Sequence, residues 1–187
     1  TAAQTINGNG KVQNLLINNA SGVAVGSTIY DSVTATGDVT LTSGNFNTSN
    51  KLVLAMSDDI ATVNVNGRIP VVTGGSLTGK VITQNYIKGG RRAYRFWSTP
   101  FSNSIPLSQL ENYVDISGNY GHLRGFTETG AHTASAFWYN PLIANSSLGS
   151  DPGWRQFTWC DSNALSGDSN LVRQFEGFRI LIRGAKG

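Results

Sequence analysis

At 187 residues and 19.9 kDa the chain is long enough for one ordinary domain or two small ones, and for a core that needs no disulfide or metal. Only 13% of residues are charged and 22 are Gly, with Thr, Ser and Asn abundant, which points away from helices and toward an all-β protein. A 39% hydrophobic content excludes disorder, no run approaches the ~18 apolar residues of a membrane helix, and a net charge of +3 with no basic run beyond Arg91-Arg92 predicts neither nucleic-acid binding nor membrane insertion.

The first 90 residues contain three aromatics, Tyr30, Phe46 and Tyr86, of the 18 in the chain. Short apolar runs, Leu15-Leu16-Ile17, Val23-Ala24-Val25, Val39-Thr40-Leu41, Leu52-Val53-Leu54, Val63-Asn64-Val65 and Val81-Ile82, recur roughly every 8 to 14 residues between Gly, Asn, Ser and Thr, as short strands joined by turns do. Residues 10–19, 36–45 and 49–55 read as worn copies of one unit of roughly two dozen residues, the length of one coil of a β-solenoid. A narrow solenoid interior takes small aliphatic side chains, and its corners take Asn and Gly, which tolerate positive φ. We therefore expect a short β-solenoid over residues 1–90, with an evenly spaced β-sandwich as the alternative.

Lys88-Gly89-Gly90 is the expected joint, after which the texture changes. Residues 91–187 carry the remaining aromatics and are expected to form an antiparallel, β-sandwich-like domain. Strands are predicted around 91–97, 135–139, 154–159 and 176–183, with one short helix near Leu107 to Tyr113 after Pro106. In the last strand Phe178, Ile180 and Ile182 alternate with Arg179, Leu181 and Arg183, which puts an apolar face inward and the arginines outward. The chain opens at Thr1 in strand-like material and stops at Ala185-Lys186-Gly187 directly after a strand, and is expected to be a segment of a longer polypeptide.

The repeats, the run Val71-Val72-Thr73-Gly74-Gly75-Ser76-Leu77-Thr78-Gly79-Lys80-Val81, then Tyr86-Ile87, Arg91-Arg92-Ala93-Tyr94-Arg95 and Gly177-Phe178-Arg179-Ile180-Leu181-Ile182-Arg183-Gly184, carry a resemblance. Together they are similar to a module of long secreted surface proteins of Bacteroidetes-type bacteria. The resemblance implies export by type IX secretion, an extracellular or cell-surface location, an adhesin-like role and no catalytic residues. The sorting domain that ends such proteins is not recognisable in residues 176–187.

Residues able to carry chemistry are few. His122 and His132 are the only histidines, and no His-Glu-x-x-His, Gly-x-Ser-x-Gly or phosphate-loop pattern occurs. Cys160, the single cysteine, sits at a strand end and is read as a buried structural thiol. Solenoid enzymes that cleave acidic polysaccharides gather Asp and Arg on one face, so Asp31, Asp38, Asp58, Asp59 and Arg68 are candidates, although turn roles explain the aspartates more simply. The oxygen-rich stretch 161–170 offers Asp161, Asn163 and Asp168 to Ca2+, without the spacing of an EF-hand; an Asx-turn loop is the plainer reading. Trp138, Tyr139, Trp154 and Trp159, with Trp97, could stack sugar rings or fill an aromatic core.

The expected function is a non-catalytic extracellular structural or adhesive module of a large surface protein or filament. Its expected partners are adjacent modules of the same long chain or further copies of it, and surface glycans. The alternative is a carbohydrate-binding module of a secreted glycan-degrading enzyme, and a weaker third reading makes the solenoid a polysaccharide lyase or hydrolase working through Asp58 or Asp59.

Overall fold

The computed structural model describes residues 2–56, 66–87, 91–143, 153–161, 170–184 and 186. Val63-Asn64-Val65, Asp58, Asp59 and the Lys88-Gly89-Gly90 joint lie outside them. By its internal contacts the chain divides into two compact units, Thr1–Lys88 and Gly89–Gly187.

Among the described residues unit 1 has nine strands: β1 (Gln4–Ile6), β2 (Asn9–Val12), β3 (Leu15–Asn18), β4 (Val23–Val25), β5 (Ser32–Ala35), β6 (Val39–Asn47), β7 (Leu52–Leu54), β8 (Gly75–Thr78) and β9 (Val81–Thr83). Every pairing between them is parallel. β2, β5, β7 and β9 form one ladder, while β1, β4, β8 and the second half of β6 form another. The first half of β6 pairs with β3 and its second half with β4 and β8, so β6 bends between the two pairings and the parallel sheet curls. Gly44 makes that turn possible: its φ is +76°, and a Cβ there would collide with the carbonyl oxygen of Asn19.

The register stacks like on like, as Val33, Leu52 and Val81 in one column and Val23, Phe46 and Leu77 in another. Ile17, Val25, Val33, Val39, Leu41, Phe46 and Leu52 are buried in one cluster. Burying each such side chain fully contributes about 1.5–3 kcal/mol. Polar side chains bond across to neighbouring segments of the sheet: Asn14 Oδ1 accepts from Asp38 N–H at 2.9 Å, Ser32 Oγ donates to Asn9 Oδ1 at 2.8 Å, and Ser49 Oγ donates to the Val25 carbonyl at 2.6 Å. These partners lie 23 or 24 residues apart in sequence, lengthening to 30–33 where Asn45, Thr48 and Asn50 meet Ser76, Thr78 and Lys80. The abundance of Asn, Ser and Thr thus follows from the need to satisfy polar groups at every bend.

Unit 2 contains β10 (Ala93–Ser98), β11 (Ile105–Pro106), the single-turn helix α1 (Ser108–Glu111), β12 (Ala136–Tyr139), β13 (Trp154–Gln156), β14 (Leu171–Val172) and β15 (Gly177–Ile182), with 3-10 turns at Gly121–Arg124 and Pro141–Ile143. An antiparallel sheet runs in the order β10-β15-β12-β13. Of the second sheet that a sandwich requires, the described residues supply only the two-stranded β11-β14 ribbon. β13 is shorter than its apolar run because Phe157 leaves the ladder and is buried. Leu107, Ile116, Phe157, Cys160, Val172 and Ile180 are all nearly inaccessible to solvent. On β15, Phe178, Ile180 and Ile182 are buried while Arg179 and Leu181 lie on the opposite face.

Candidate functional site: an aromatic sheet face

The antiparallel register decides which side chains share a face. Phe96 stands opposite Arg179, Arg179 opposite Phe137, and Phe137 opposite Gln156, while Tyr139 stands opposite Trp154. With two-residue periodicity this collects Tyr94 and Phe96 from β10, Arg179 from β15, Phe137 and Tyr139 from β12 and Trp154 from β13 on one side of the sheet. The Arg179 guanidinium lies 4.6 Å from the Trp154 ring centroid, 4.8 Å from that of Tyr94 and 4.9 Å from that of Phe137. Phe96 and Tyr139 flank Trp154 at 5.7 and 5.2 Å, their planes inclined by 64° and 59°. Gly153, with φ +93°, lets Tyr139 lie against the start of β13; a Cβ there would come within 2.6 Å of the Tyr139 ring.

Phe96 is 64% exposed, and Tyr94 and Tyr139 each 36%, so the aromatic side of this sheet meets solvent while its other side is buried. Rings inclined by about 60° offer no flat platform for a crystalline polymer surface. They suit a ligand whose apolar C–H faces meet several rings at once, with Arg179 holding the rings in place through its charge.

No known protein family, curated protein or solved structure matches this chain. The site must therefore be judged from its own residues.

The structure brings together only two of the four aromatics proposed from the sequence. Tyr139 and Trp154 share the exposed face. Trp138, one residue along β12, faces the other way opposite Phe178, with its Nε1 buried and without a hydrogen-bond partner among the described residues. Trp159 lies beyond β13, where its ring stacks on Arg124 at 4.9 Å and its Nε1 donates to Asp161 Oδ1. Trp97 packs on Phe178 at 5.9 Å. Tyr94, Phe96, Phe137 and Arg179 were missed, although the alternation in Ala93–Ser98 places Tyr94 and Phe96 on one side, and the outward position of Arg179 was legible in β15.

The remaining candidates occupy separate places. Asp161 is taken up by Trp159, and Asn163 and Asp168 lie outside the described residues. Among the described residues no group of three or more His, Cys, Asp and Glu is arranged to hold a metal ion. Asp38 pairs with Arg68 at 2.7 Å across a parallel bridge. Asp31 is buried at a bend, where it accepts from the Thr28 hydroxyl and N–H and from Gly8 N–H. These bonds, the Thr28 hydroxyl foremost, hold its carboxyl below the usual carboxylate range. Cys160 is buried, and that burial, aided by the charges of Glu111 and Asp161, pushes its thiol up to about 12. Such a thiol stays protonated and is a poor nucleophile.

Proposed function

We propose that the chain is a non-catalytic, extracellular structural and adhesive module of a larger surface protein or filament, of the kind its sequence resembles. Unit 1 is read as a short β-solenoid that serves as a spacer. Parallel ladders repeating at 23 to 33 residues, stacked apolar columns and layer-to-layer side-chain bonds support that reading. Unit 2 is read as the contact-making part, and its partners as surface glycans and neighbouring modules or copies.

The observation that carries the adhesive role is the exposed aromatic face around Phe96, Tyr139, Trp154 and Arg179. Exposing a Phe costs burial energy that a purely structural sheet would recover by covering it. Beads coated with the chain are expected to be retained on glycan-coated surfaces under flow. The triple replacement of Phe96, Tyr139 and Trp154 by Ser should abolish retention without loss of the antiparallel sheet. Equal retention of the triple variant, or none by the native chain on any glycan- or protein-coated surface, counts against the proposal. The second reading, a carbohydrate-binding module attached to a glycan-degrading enzyme, is favoured by the same inclined rings, and calls for a soluble oligosaccharide to compete the beads off.

A further inference from the structure

Segment 4–18 of unit 1 carries β1, β2 and β3 in succession, and each has a neighbour on one side only: β1 pairs with β4, β2 with β5 and β3 with β6. In an extended strand the N–H and C=O of one residue point to the same side, and those of the next residue to the other. The Ile6 carbonyl accepts from Gly26 N–H, that of Gly8 from Ser32 N–H and that of Val12 from Thr36 N–H, while Leu15 N–H donates to the Asp38 carbonyl. The intervening Thr5, Asn9, Lys11 and Leu16 therefore direct their backbone groups the other way, to a side on which no strand of the described residues runs. All four are exposed, and none of residues 2–16 is buried.

This edge lacks the devices that keep an open sheet edge from pairing, since segment 4–18 contains one charged residue, Lys11, and no Pro. Its apolar side is open as well. Ile6, Val12 and Leu15 are only partly buried against the core, and the column of Val33, Leu52 and Val81 ends on Gly10, where a Cβ would meet nothing within 4 Å.

The opposite edge of the same ladders is complementary. Gln84 N–H donates to the Leu54 carbonyl and Thr48 N–H to that of Thr78, so Ile82 and Thr78 face the sheet while Val81, Thr83 and Leu77 direct their backbone groups away from it. Because every pairing in unit 1 is parallel, a second copy displaced along the stacking direction brings its β8 and β9 beside β1 and β2 with the same polarity. Setting Val81 of one copy beside Gly10 of the next, and Leu77 beside Gln4, continues both columns in register and fills the open space at Gly10. It also sets the outward groups of Val81 and Thr83 against those of Asn9 and Lys11. Two copies meeting through their 4–18 edges would instead pair antiparallel and bring two Lys11 side chains onto one ladder.

Resting on the reading of unit 1 as a short β-solenoid, we propose that the 4–18 edge is an assembly surface whose partner is the β8–β9 edge of a second copy of this chain. The contact joins two different surfaces, so it does not close on a dimer but propagates from copy to copy. Two short ladders make a small interface, and association is weak and concentration-dependent.

The test uses the full chain at rising concentration. Its weight-average mass by sedimentation should climb from 19.9 kDa past twice that value without a plateau, while the amide protons of Thr5, Asn9, Lys11 and Leu16 pass from fast to slow exchange. Lys11→Pro and Thr83→Pro each remove an N–H that points away from the sheet, so both should keep the thermal midpoint and each alone should stay monomeric. An equimolar mixture of the two retains one intact edge of each kind and should form a dimer that stops at two copies. Should Lys11→Pro lower the midpoint, the double variant Thr5→Lys, Leu16→Lys probes the same edge at exposed positions. Its added charge, set against Lys80 of the next copy, should weaken association about tenfold, and less in high salt. A mass fixed at 19.9 kDa at every concentration would overturn the proposal, as would association that survives Thr83→Pro, or outward amides already slow to exchange in the dilute monomer. The Gly10 and Val12 amides, which face β5, keep this inference distinct from the solenoid reading. Their fast exchange in the monomer would end both, whereas slow exchange there with a constant mass would end this inference alone. The sheet-face triple variant should associate as the native chain does, so its loss of bead retention bears only on the adhesive role.

Discussion

The two units reach the same end, a satisfied backbone around an apolar core, by opposite uses of the side chain. In unit 1 the described strands pair in parallel and stack aliphatic side chains in columns, and Phe46 is its only fully buried aromatic among the described residues. In unit 2 the strands are antiparallel and few, and large side chains do the work: Phe126, Phe157 and Phe178 are buried, while Tyr94, Phe96, Phe137, Tyr139 and Trp154 surround Arg179 on the other face. Repetition tolerates long polar bends but not a local backbone collision. A core of large irregular pieces tolerates bends but not the loss of a piece.

That contrast sets the largest expected effect at Gly44. Gly44→Val introduces a Cβ against the Asn19 carbonyl at a positive φ, in the strand that joins two ladders, and should destabilise unit 1 by about 4 kcal/mol or more. Circular dichroism and near-UV fluorescence during urea unfolding should show the low-aromatic unit 1 transition moving while the tryptophan signal of unit 2 stays in place. A tryptophan transition that moves equally would show that the units unfold as one. Next in size come Phe46→Ala and Phe157→Ala, at about 3–5 kcal/mol each, and each should act on its own unit alone. Phe96→Ala, on the exposed face, should cost about 1 kcal/mol or less while reducing bead retention.

What was legible in the sequence differed between the units for the same reason. The change of texture near residue 90 falls beside the division of the chain after Lys88, and a spacing of 24 residues separates Asn14 from Asp38 and Ser49 from Val25. The first two repeat phrases pair with each other, Leu15–Ile17 beside Val39–Leu41, whereas Leu52–Leu54 of the third pairs with Val33–Ala35. Short aliphatic runs edged by Asn and Gly look alike on every strand of a curled sheet, so composition finds the strands without their pairing. In unit 2, period-two alternation gave the buried face of β15 but could not tell which strands would lie beside it. Trp138 and Trp159 were grouped with Tyr139 and Trp154 because nothing local distinguishes an inward tryptophan from an outward one. The Tyr120–Arg124–Trp159 stack spans 39 residues from Tyr120 to Trp159 and rests on a left-handed Tyr, which no residue preference signals.

Chemical access sharpens the comparison at smaller scale. Cys160 should react with a thiol reagent only as unit 2 opens, so its labelling rate should follow unit 2 stability, falling with urea removal and rising in Phe157→Ala but not in Phe46→Ala. Fast labelling of the native chain would place the thiol at the surface.

The smallest effect lies in acid. Asp31 in unit 1 and Glu128 in unit 2 both have carboxyls held below their ordinary values of 3.8 and 4.5, Glu128 at about 2. In both cases the unfolded chain binds the proton more readily than the folded one. Their stabilisation is therefore complete above the ordinary value and is lost as pH falls, for Glu128 between about 4.5 and about 2. Asp31 is buried with its oxygens bonded within the fold, whereas Glu128 is exposed and bonded to the imidazoles of His122 and His132, so the Asp31 contribution should resist salt better. Thermal midpoints followed from pH 6 to pH 2.5 should therefore fall in both units. Asp31→Asn should flatten the fall of unit 1 alone and Glu128→Gln that of unit 2 alone, and added salt should erase only the second. A unit 1 transition that responds to Glu128→Gln would mean that the two units are coupled through their charges, and would end the description of them as separately stabilised bodies.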